Sequence, residues 1–255
     1  MAWFIPRWRR REPSSSKPSA GRARTVARRA LFGIALLLIL DLVYIAVLKP
    51  DWDTLATGRC PKSLPIEDYE RARQGNRKLA RLRWQPVGLS QMSKRLQQAV
   101  VAAEDARFHQ HAGVDFAALG DAIAYAKEKG EVGFGASTIS QQTIKNLVVG
   151  DSRTPWRKWH EMILALWMEQ NLSKQRILSL YLNVAELGEG IYGAEAAAQA
   201  YWRVSANDLS ESQAIEMAAT LPSPKKHNPL TRTETFLRRV EKIRGHMNQF
   251  GWLDN

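Results

Sequence analysis

The pattern of hydrophobic and polar positions divides the chain into one long apolar run near its beginning and a series of amphipathic segments after it. The run, "ALFGIALLLILDLVYIAVL", covers residues 30–48 and is apolar on every face except at Asp41. A helix rises about 1.5 Å per residue, so this run is about 28 Å long and matches the roughly 30 Å hydrocarbon core of a bilayer. We interpret residues 30–48 as a single transmembrane anchor, in which Asp41 is expected to contact another helix.

The positive charge of the chain is concentrated ahead of this run. Residues 1–29 carry nine arginines and lysines against one acid, Glu12, and are rich in serine, glycine and proline, which predicts a disordered basic tail. Cations beside a membrane helix favour the cytoplasmic side for that end of the helix. A cleaved signal peptide is the alternative, but the run is long for one and "AVLKP" offers no small-residue cleavage site. We therefore expect a single-pass protein of the cell inner membrane, with a cytoplasmic N-terminus and a periplasmic domain. Most of the net charge of +12 then needs no nucleic acid to explain it.

After the apolar run, the periodicity of α-helices dominates. Residues 49–83 are interpreted as a linker with a short helix, and residues 84–255 as one compact domain. Because no segment alternates with a period of two, the predicted fold class is all-α. The motifs GxGxxG and GxxxxGK are absent, which argues against a nucleotide-binding loop, and the single cysteine, Cys60, excludes an internal disulfide. Capping residues mark four helix starts, at Ser93, at Thr138 with Gln141, at Ser173, and at Ser210 with Gln213.

The stretch "AVVAAEDARFHQHAG" is the first candidate for chemistry. Glu104 follows an apolar helix, so we expect its carboxylate to emerge into a cleft where desolvation raises its pKa and makes it a better base. The alternative is a solvated helix end. A metal pair formed by His109 and His111 is disfavoured, because no other ligands lie nearby at metal-binding spacing.

Two further stretches carry polar residues in a suggestive arrangement. In "GFGASTISQQTIKNL" a helix is predicted to start near Thr138, so that its free N–H groups face an anion over residues 135–137, with Lys145 and Arg153 adding charge. The alternative is a capped surface helix. In "RKWHEMILALWMEQ", Glu161 lies one turn after Arg157, which also predicts a simple ion pair. A zinc-protease HExxH motif is excluded, because it would need a histidine in place of the leucine at position 164.

Taken in order, these stretches resemble the motifs of the family 51 glycosyltransferases, the peptidoglycan polymerases. "EDARFHQHAG" is similar to EDxxFxxHxG, "GASTISQQTIKN" to GxSTxxQQxxKN and "RKWHEMILALWMEQ" to RKxxExxxAxxxE. "SKQRILSLYLN" and "GIYGAEAAAQAYW" resemble the two segments that follow, so the similarity runs from about Trp84 to Pro229. The chain is most similar to the monofunctional biosynthetic peptidoglycan transglycosylases, since no transpeptidase KTG element follows.

The resemblance implies a lysozyme-like fold and the polymerisation of lipid II into glycan strands. In that reaction the 4-hydroxyl of an acceptor sugar attacks the anomeric carbon of a lipid-pyrophosphate donor, the configuration inverts, and undecaprenyl pyrophosphate leaves. The expected ligands are lipid II, the growing lipid-linked glycan and the membrane, and proteins of cell-wall synthesis or division are further candidate partners. Neither a nucleic acid partner nor transpeptidase activity is expected.

The resemblance also assigns roles to single residues. Glu104 matches the general base, and Glu161 matches a second catalytic glutamate, which in our interpretation orients the cations and the leaving group. The matching substrate-binding positions are Asp105, Ser137, Gln141, Gln142, Lys145, Arg153, Arg157 and Lys158. The four cations among them would stabilise the charge that develops on the diphosphate. A divalent cation bridging the diphosphate is compatible with this chemistry, but the sequence shows no dedicated set of metal ligands.

Residues 114–134 match a mobile apolar flap that rests against the bilayer in the family. Phe116, Leu119, Ile123 and Tyr125 are then expected to form an interfacial stripe, although a plain core helix fits the same pattern.

Two rival functions stay open on the sequence. One is a lysozyme-like hydrolase or lytic transglycosylase, which needs a proton donor to the leaving sugar but has no use for four cations around a diphosphate. The other is an inactive, membrane-tethered scaffold for wall assembly, which is disfavoured because all three motifs keep their ionisable residues.

Overall fold

The computed structural model describes residues 20–130, 137–152 and 154–252. The chain divides into two compact units, Met1–Val47 and Leu48–Asn255. Helix α1 (Ala20–Leu48) begins in the first unit and includes the whole apolar segment. Its portion Ala27–Leu48 is long enough to cross a membrane, has a mean hydropathy of 2.8 and is only 11% buried. A mostly exposed apolar helix is unlike a core helix, so α1 is compatible with a single-pass anchor.

The second unit is built almost entirely of helices, which confirms the all-α prediction. Its helices after α1 are α2 (Trp52–Thr57), α3 (Leu64–Gly75), α4 (Lys94–Glu104), α5 (Phe116–Lys129), α6 (Ile139–Ile144), α7 (Pro155–Asn171), α8 (Lys174–Val184), α9 (Ala194–Trp202), α10 (Glu211–Thr220) and α11 (Glu234–Gln249). A 3₁₀ turn, Leu89–Gln91, precedes α4, and a π-helical turn, Lys145–Val149, extends α6.

A small sheet that the sequence pattern does not reveal joins distant parts of this unit. Its strands are β1 (Arg83–Trp84), β2 (Glu186–Gly188) and β3 (Ile191–Tyr192), in the order β1-β3-β2. Strand β1 is parallel to β3, and β2 is antiparallel to it. Strands of two or three residues are too short to show an alternating pattern, which explains why the sequence did not predict them.

The predicted helix starts are confirmed in their atomic detail. Ser93 Oγ accepts a hydrogen bond from the N–H of Leu96, 3.1 Å away, and Ser173 caps α8 in the same way. Thr138 and Ser210 each form a reciprocal capping box with the glutamine three residues on. Because these side chains satisfy otherwise orphaned backbone N–H groups, they fix where each helix begins.

The core lies in two groups of helices that meet near the C-terminal end of α4. Helix α4 packs against α10 and α11, while α6 packs against α7 and α8. Small buried side chains on α4 and α10, such as Ala99 and Ala218, allow the two helices to approach closely. Every residue of α8 from Ile177 to Val184 is buried. Glu104 therefore ends a helix that is held on several sides by the core.

Helix α5 differs from the other helices of this unit because it buries none of its residues. Phe116, Ile123 and Tyr125 are 63%, 57% and 48% exposed, and Leu119 is intermediate. The core-helix interpretation of this segment is therefore wrong. The end of the segment matched to the flap, residues 131–134, lies outside the described residues.

Candidate active site

A cavity of about 880 Å³ opens beside the C-terminal end of α4. Glu104 and Asp105 line it, together with Ser137 and Gln142 from the start of α6 and its first turns. Alanines at the end of α10 and the side chains of Arg239 and Lys242 on α11 complete its wall. The cavity thus joins an acid, polar groups and cations that lie far apart along the chain.

Glu104 has the altered acidity that the sequence predicted. Burial raises the pKa of its carboxyl above the usual 4.5. A hydrogen bond from Gln142 Nε2 to Glu104 Oε2, 2.8 Å long, and the charge of Arg239 act in the opposite direction. The charge of Asp105 adds a smaller upward effect on the same pKa. Since desolvation is the largest cause, the carboxylate is a stronger base than one in water.

The amide of Gln142 is itself held in place by a buried tyrosine. Tyr181 Oη donates a hydrogen bond to Gln142 Oε1, 3.1 Å away, so the amide nitrogen faces Glu104. Burial and the neighbouring charges of Glu104 and Asp105 raise the pKa of Tyr181 well above its usual value, which keeps the hydroxyl protonated. Sequence reasoning missed Tyr181, although it lies in the "YLN" part of a motif that resembled the family.

Asp105 lies at the N-terminus of α6, where the sequence predicted free N–H groups facing a ligand. Its side chain is only 3% exposed and accepts hydrogen bonds from the N–H of Ile139 and from His111 Nε2, each 3.0 Å away. The N–H of Gln141 bonds to Thr138 Oγ1 instead. Side chains of the protein thus bind the N–H groups of Thr138, Ile139 and Gln141. Residues 135 and 136, over which the anion was predicted, lie outside the described residues, so the anion site stays a prediction. In this structure Asp105 ties the end of α4 to the start of α6.

Gln141 also makes internal contacts. It is 2% exposed, and its Oε1 accepts a hydrogen bond from the N–H of Thr138. These contacts complete the capping box and bury the side chain that the resemblance matched to substrate binding.

The two histidines of the first motif make separate contacts. His111 bonds to Asp105, and the ring of His109 packs edge-on against Phe108 at 5.1 Å between centroids. Within the described ranges, no group of three or more histidines, cysteines, aspartates and glutamates is arranged to hold a metal ion.

The predicted residues of the third motif form a connected cluster. Glu161 is 2% exposed and accepts hydrogen bonds from Arg157 Nη1, at 2.5 Å, and from Lys158 Nζ. Lys158 Nζ also donates to Ser137 Oγ at 2.7 Å, and Ser137 lines the cavity. The ion pair expected from the spacing of Arg157 and Glu161 is therefore present, and Lys158 connects it to the cavity wall.

Lys145, another predicted cation, lies away from the cavity wall. Lys145 begins the π-helical turn and pairs with Asp151 Oδ1 at 3.1 Å, with its side chain 37% exposed. It is not among the residues that line the cavity. Arg153 lies outside the described residues, as do Gly135 and Ala136. π-Helical turns occur often at functional sites, so the irregular backbone at Lys145 is consistent with a functional role for this segment.

Sequence reasoning missed three cations of the cavity wall, Arg107 shortly after α4 and Arg239 and Lys242 on the last helix. Arg239, Lys242 and His246 of α11 line the cavity, and Arg239 Nη1 is buried without a hydrogen-bond partner among the described residues. Their only signal in the sequence is the amphipathic pattern of a terminal helix, which does not show that α11 packs against α4.

Comparison with known proteins places these features in a family. A family model described as Transglycosylase matches residues 73–248. Proteins named biosynthetic peptidoglycan transglycosylase are similar to most of the chain. The relative from Laribacter hongkongensis is 42% identical over 169 residues, covering 66% of this chain and 74% of its own length. The relative from Vibrio parahaemolyticus is 46% identical over 165 residues, covering 65% and 73%.

A relative from Bordetella pertussis matches over a longer range, 235 residues at 39% identity, which covers 86% of this chain and 97% of that protein. The family match covers the cavity, the Glu161 cluster and nearly all of α11. This chain therefore belongs to the transglycosylase family.

Proposed function

We propose that this chain is a peptidoglycan glycosyltransferase that polymerises lipid II into glycan strands. The 4-hydroxyl of the acceptor sugar attacks the anomeric carbon of the donor, the bond to the lipid pyrophosphate breaks, and the configuration inverts. Family membership and the names of its relatives support glycan polymerisation. The reaction needs a base for the hydroxyl and cations for the departing diphosphate.

The raised pKa of Glu104 beside a large cavity is the observation that carries this proposal. Glu104 removes the proton of the attacking hydroxyl, because its desolvated carboxylate has a proton affinity closer to that required at neutral pH. Gln142 and Tyr181 hold the carboxylate in one orientation. Ala218 and Ala219 at the end of α10 form an apolar part of the cavity wall beside this site.

The departing diphosphate is assigned to the cluster around Glu161. Arg157 and Lys158 supply positive charge for the diphosphate. Glu161 pairs with both cations and fixes their positions, and we assign it a catalytic role for that reason. Lys145 and Arg153 remain predicted members of this cation set. No dedicated group of metal ligands is found in the described part of the chain, so a divalent cation at the diphosphate would take its ligands mainly from the diphosphate and water.

The proposed location follows from the N-terminal helix. Residues 30–48 anchor the chain in the cell inner membrane. Residues 1–29 then lie in the cytoplasm, and the catalytic domain, residues 84–255, lies in the periplasm. The exposed side chains of Phe116 and Ile123, which share one face of α5, then contact the bilayer that carries the lipid-linked substrate. Proteins of wall synthesis or division remain candidate partners.

The test uses the full-length protein in detergent with labelled lipid II. Long glycan strands are expected from the unmodified chain, and Glu104→Gln should abolish them while leaving the protein folded. Glu189→Gln is the matched control, because Glu189 is exposed and does not line the cavity. Shortening of preformed glycan strands without synthesis would contradict the proposal and favour a hydrolase, and full activity of Glu104→Gln would refute the assigned base.

A further inference from the structure

A second cavity, of about 700 Å³, lies on the surface of the second unit and shares no residue with the cavity at Glu104. We call it the basic groove. It is lined by Glu70, Arg73, Gln74, Arg77, Arg81 and Leu82. The residues come from the C-terminal half of α3 and the segment that leads into β1.

The charge of the basic groove is largely uncompensated. Residues 71–83 contain six arginines and lysines and no acid. Glu70, the only carboxylate of the lining, is paired with Lys62 Nζ at 2.7 Å. Among the described residues, no carboxylate lies within ion-pair distance of Arg73, Arg77 or Arg81. The C-terminal end of α3 contributes about half a negative charge, which three full positive charges exceed.

The walls of the groove are fixed by packing beneath them. Tyr69 Oη donates a hydrogen bond to the carbonyl of Ala80 at 3.0 Å, which ties the loop to α3. Leu79 and Leu82 pack against the buried cluster of Ile66, Tyr69 and Tyr192. The arginines are therefore carried on a backbone that is already ordered, and less conformational entropy is lost when they bind a ligand.

One hydrogen-bond donor of the groove lacks a partner. Arg73 Nε is buried and has no hydrogen-bond partner in the described part of the chain. A buried donor left unpaired costs free energy, which a ligand oxygen would recover. Guanidinium groups bind phosphate oxygens in pairs, and the amide of Gln74 adds a further donor.

We propose that the basic groove binds the phosphate headgroups of anionic phospholipids. The proposed anchor holds the chain at a bilayer, and the groove begins only about two dozen residues after the end of α1. Arginines near an anionic bilayer add favourable binding energy one by one. None of the lining residues is aromatic, so the stacking surface that single-stranded nucleic acids require is missing. The proposal rests on the membrane anchor and not on the glycosyl transfer.

The test uses the full-length chain reconstituted into phosphatidylcholine vesicles that contain phosphatidylglycerol with a photoactivatable headgroup. After illumination, cleavage at glutamate and mass spectrometry, label is expected within residues 71–83. The triple variant Arg73→Gln, Arg77→Gln, Arg81→Gln should lose this label by about tenfold or more. The control Lys94→Gln, Lys226→Gln, Arg238→Gln removes the same charge from exposed positions elsewhere and should keep it.

Three results would overturn the proposal: equal labelling of the triple variant, equal labelling by photoactivatable phosphatidylcholine, or loss of the label when inorganic phosphate is added at the concentration of the lipid headgroup. Replacing the same three arginines with lysine keeps the charge but loses the paired contacts, so this variant should retain more label than the glutamine variant and less than the unmodified chain. If the glutamine variant does not fold, the unmodified chain still decides the matter, because its labelling should fall as the salt concentration rises. Labelling is measured without lipid II, so it is independent of the transferase reaction.

Discussion

Replacing Gln142 with methionine should move the acid limb of the pH–rate profile to higher pH. The amide of Gln142 donates the hydrogen bond that stabilises the Glu104 carboxylate and lowers its pKa. Methionine has a similar length but no donor, so the pKa of Glu104 should rise further above its usual value. A base acts only when it is deprotonated, and activity at low pH therefore falls first.

The size of the shift follows from the strength of one charge-assisted hydrogen bond. Such a bond contributes about 1.5–3 kcal/mol, and about 1.4 kcal/mol corresponds to one pKa unit. The acid limb of kcat/KM should therefore move upward by about one to two pH units. Tyr181→Phe removes only the hydroxyl that orients the amide, so it should move the limb in the same direction by less than one unit.

The assay is the initial rate of lipid II polymerisation by the full-length chain, measured across the pH range in detergent. Gln213→Met is the matched control, because it makes the same chemical change in the capping box of α10, outside the cavity lining. That control should lose some stability but keep its acid limb in place. An unmoved limb in Gln142→Met, at any level of maximal activity, would refute the assignment of Glu104 as the titrating base.

Three further predictions concern the stability of the site. Glu104→Gln should raise Tm at neutral pH in differential scanning fluorimetry, because the raised pKa means that the folded state loses stability as the pH rises from 4.5 through the folded pKa. A lower Tm would contradict this. Asp105→Ala should lower the free energy of unfolding by about 3 kcal/mol in a urea titration, since it strands the N–H of Ile139, and a loss below about 1 kcal/mol would count against its structural role. Glu161→Ala should lower the free energy of unfolding by about 3 kcal/mol by the same method. Lys158→Met should lower it by less than about 1 kcal/mol, because the side chain of Lys158 is 38% exposed. Equal losses for the two variants would argue against a cluster centred on Glu161.

Local chemistry explains what the sequence could predict. Ser93 and Thr138 mark helix starts because a side-chain oxygen must satisfy N–H groups within the next turn, and that requirement is visible in a few adjacent residues. The altered acidity of Glu104 was predictable for a related reason, since five apolar residues before it indicate a buried helix end. The ion pair between Arg157 and Glu161 follows from helical spacing alone.

Contacts between distant segments explain what the sequence could not predict. At the N-terminus of α6, where the sequence predicted only free N–H groups, the carboxylate of Asp105 from the preceding motif binds the N–H of Ile139. Arg239 and Lys242 join Glu104 only because α11 packs against α4, and no local pattern records that contact. The sheet likewise depends on pairing between β1 and β3, which are separated by about half of the unit.

The proposed reaction depends most on the carboxyl group of Glu104, whose titration can be observed directly. The infrared carboxyl band that is present in the unmodified full-length protein and absent in Glu104→Gln reports the protonation of this one group. Its midpoint is expected above 4.5 and should rise further in Gln142→Met. A midpoint at or below 4.5 would show a solvated acid at the end of α4 and would contradict the proposed base.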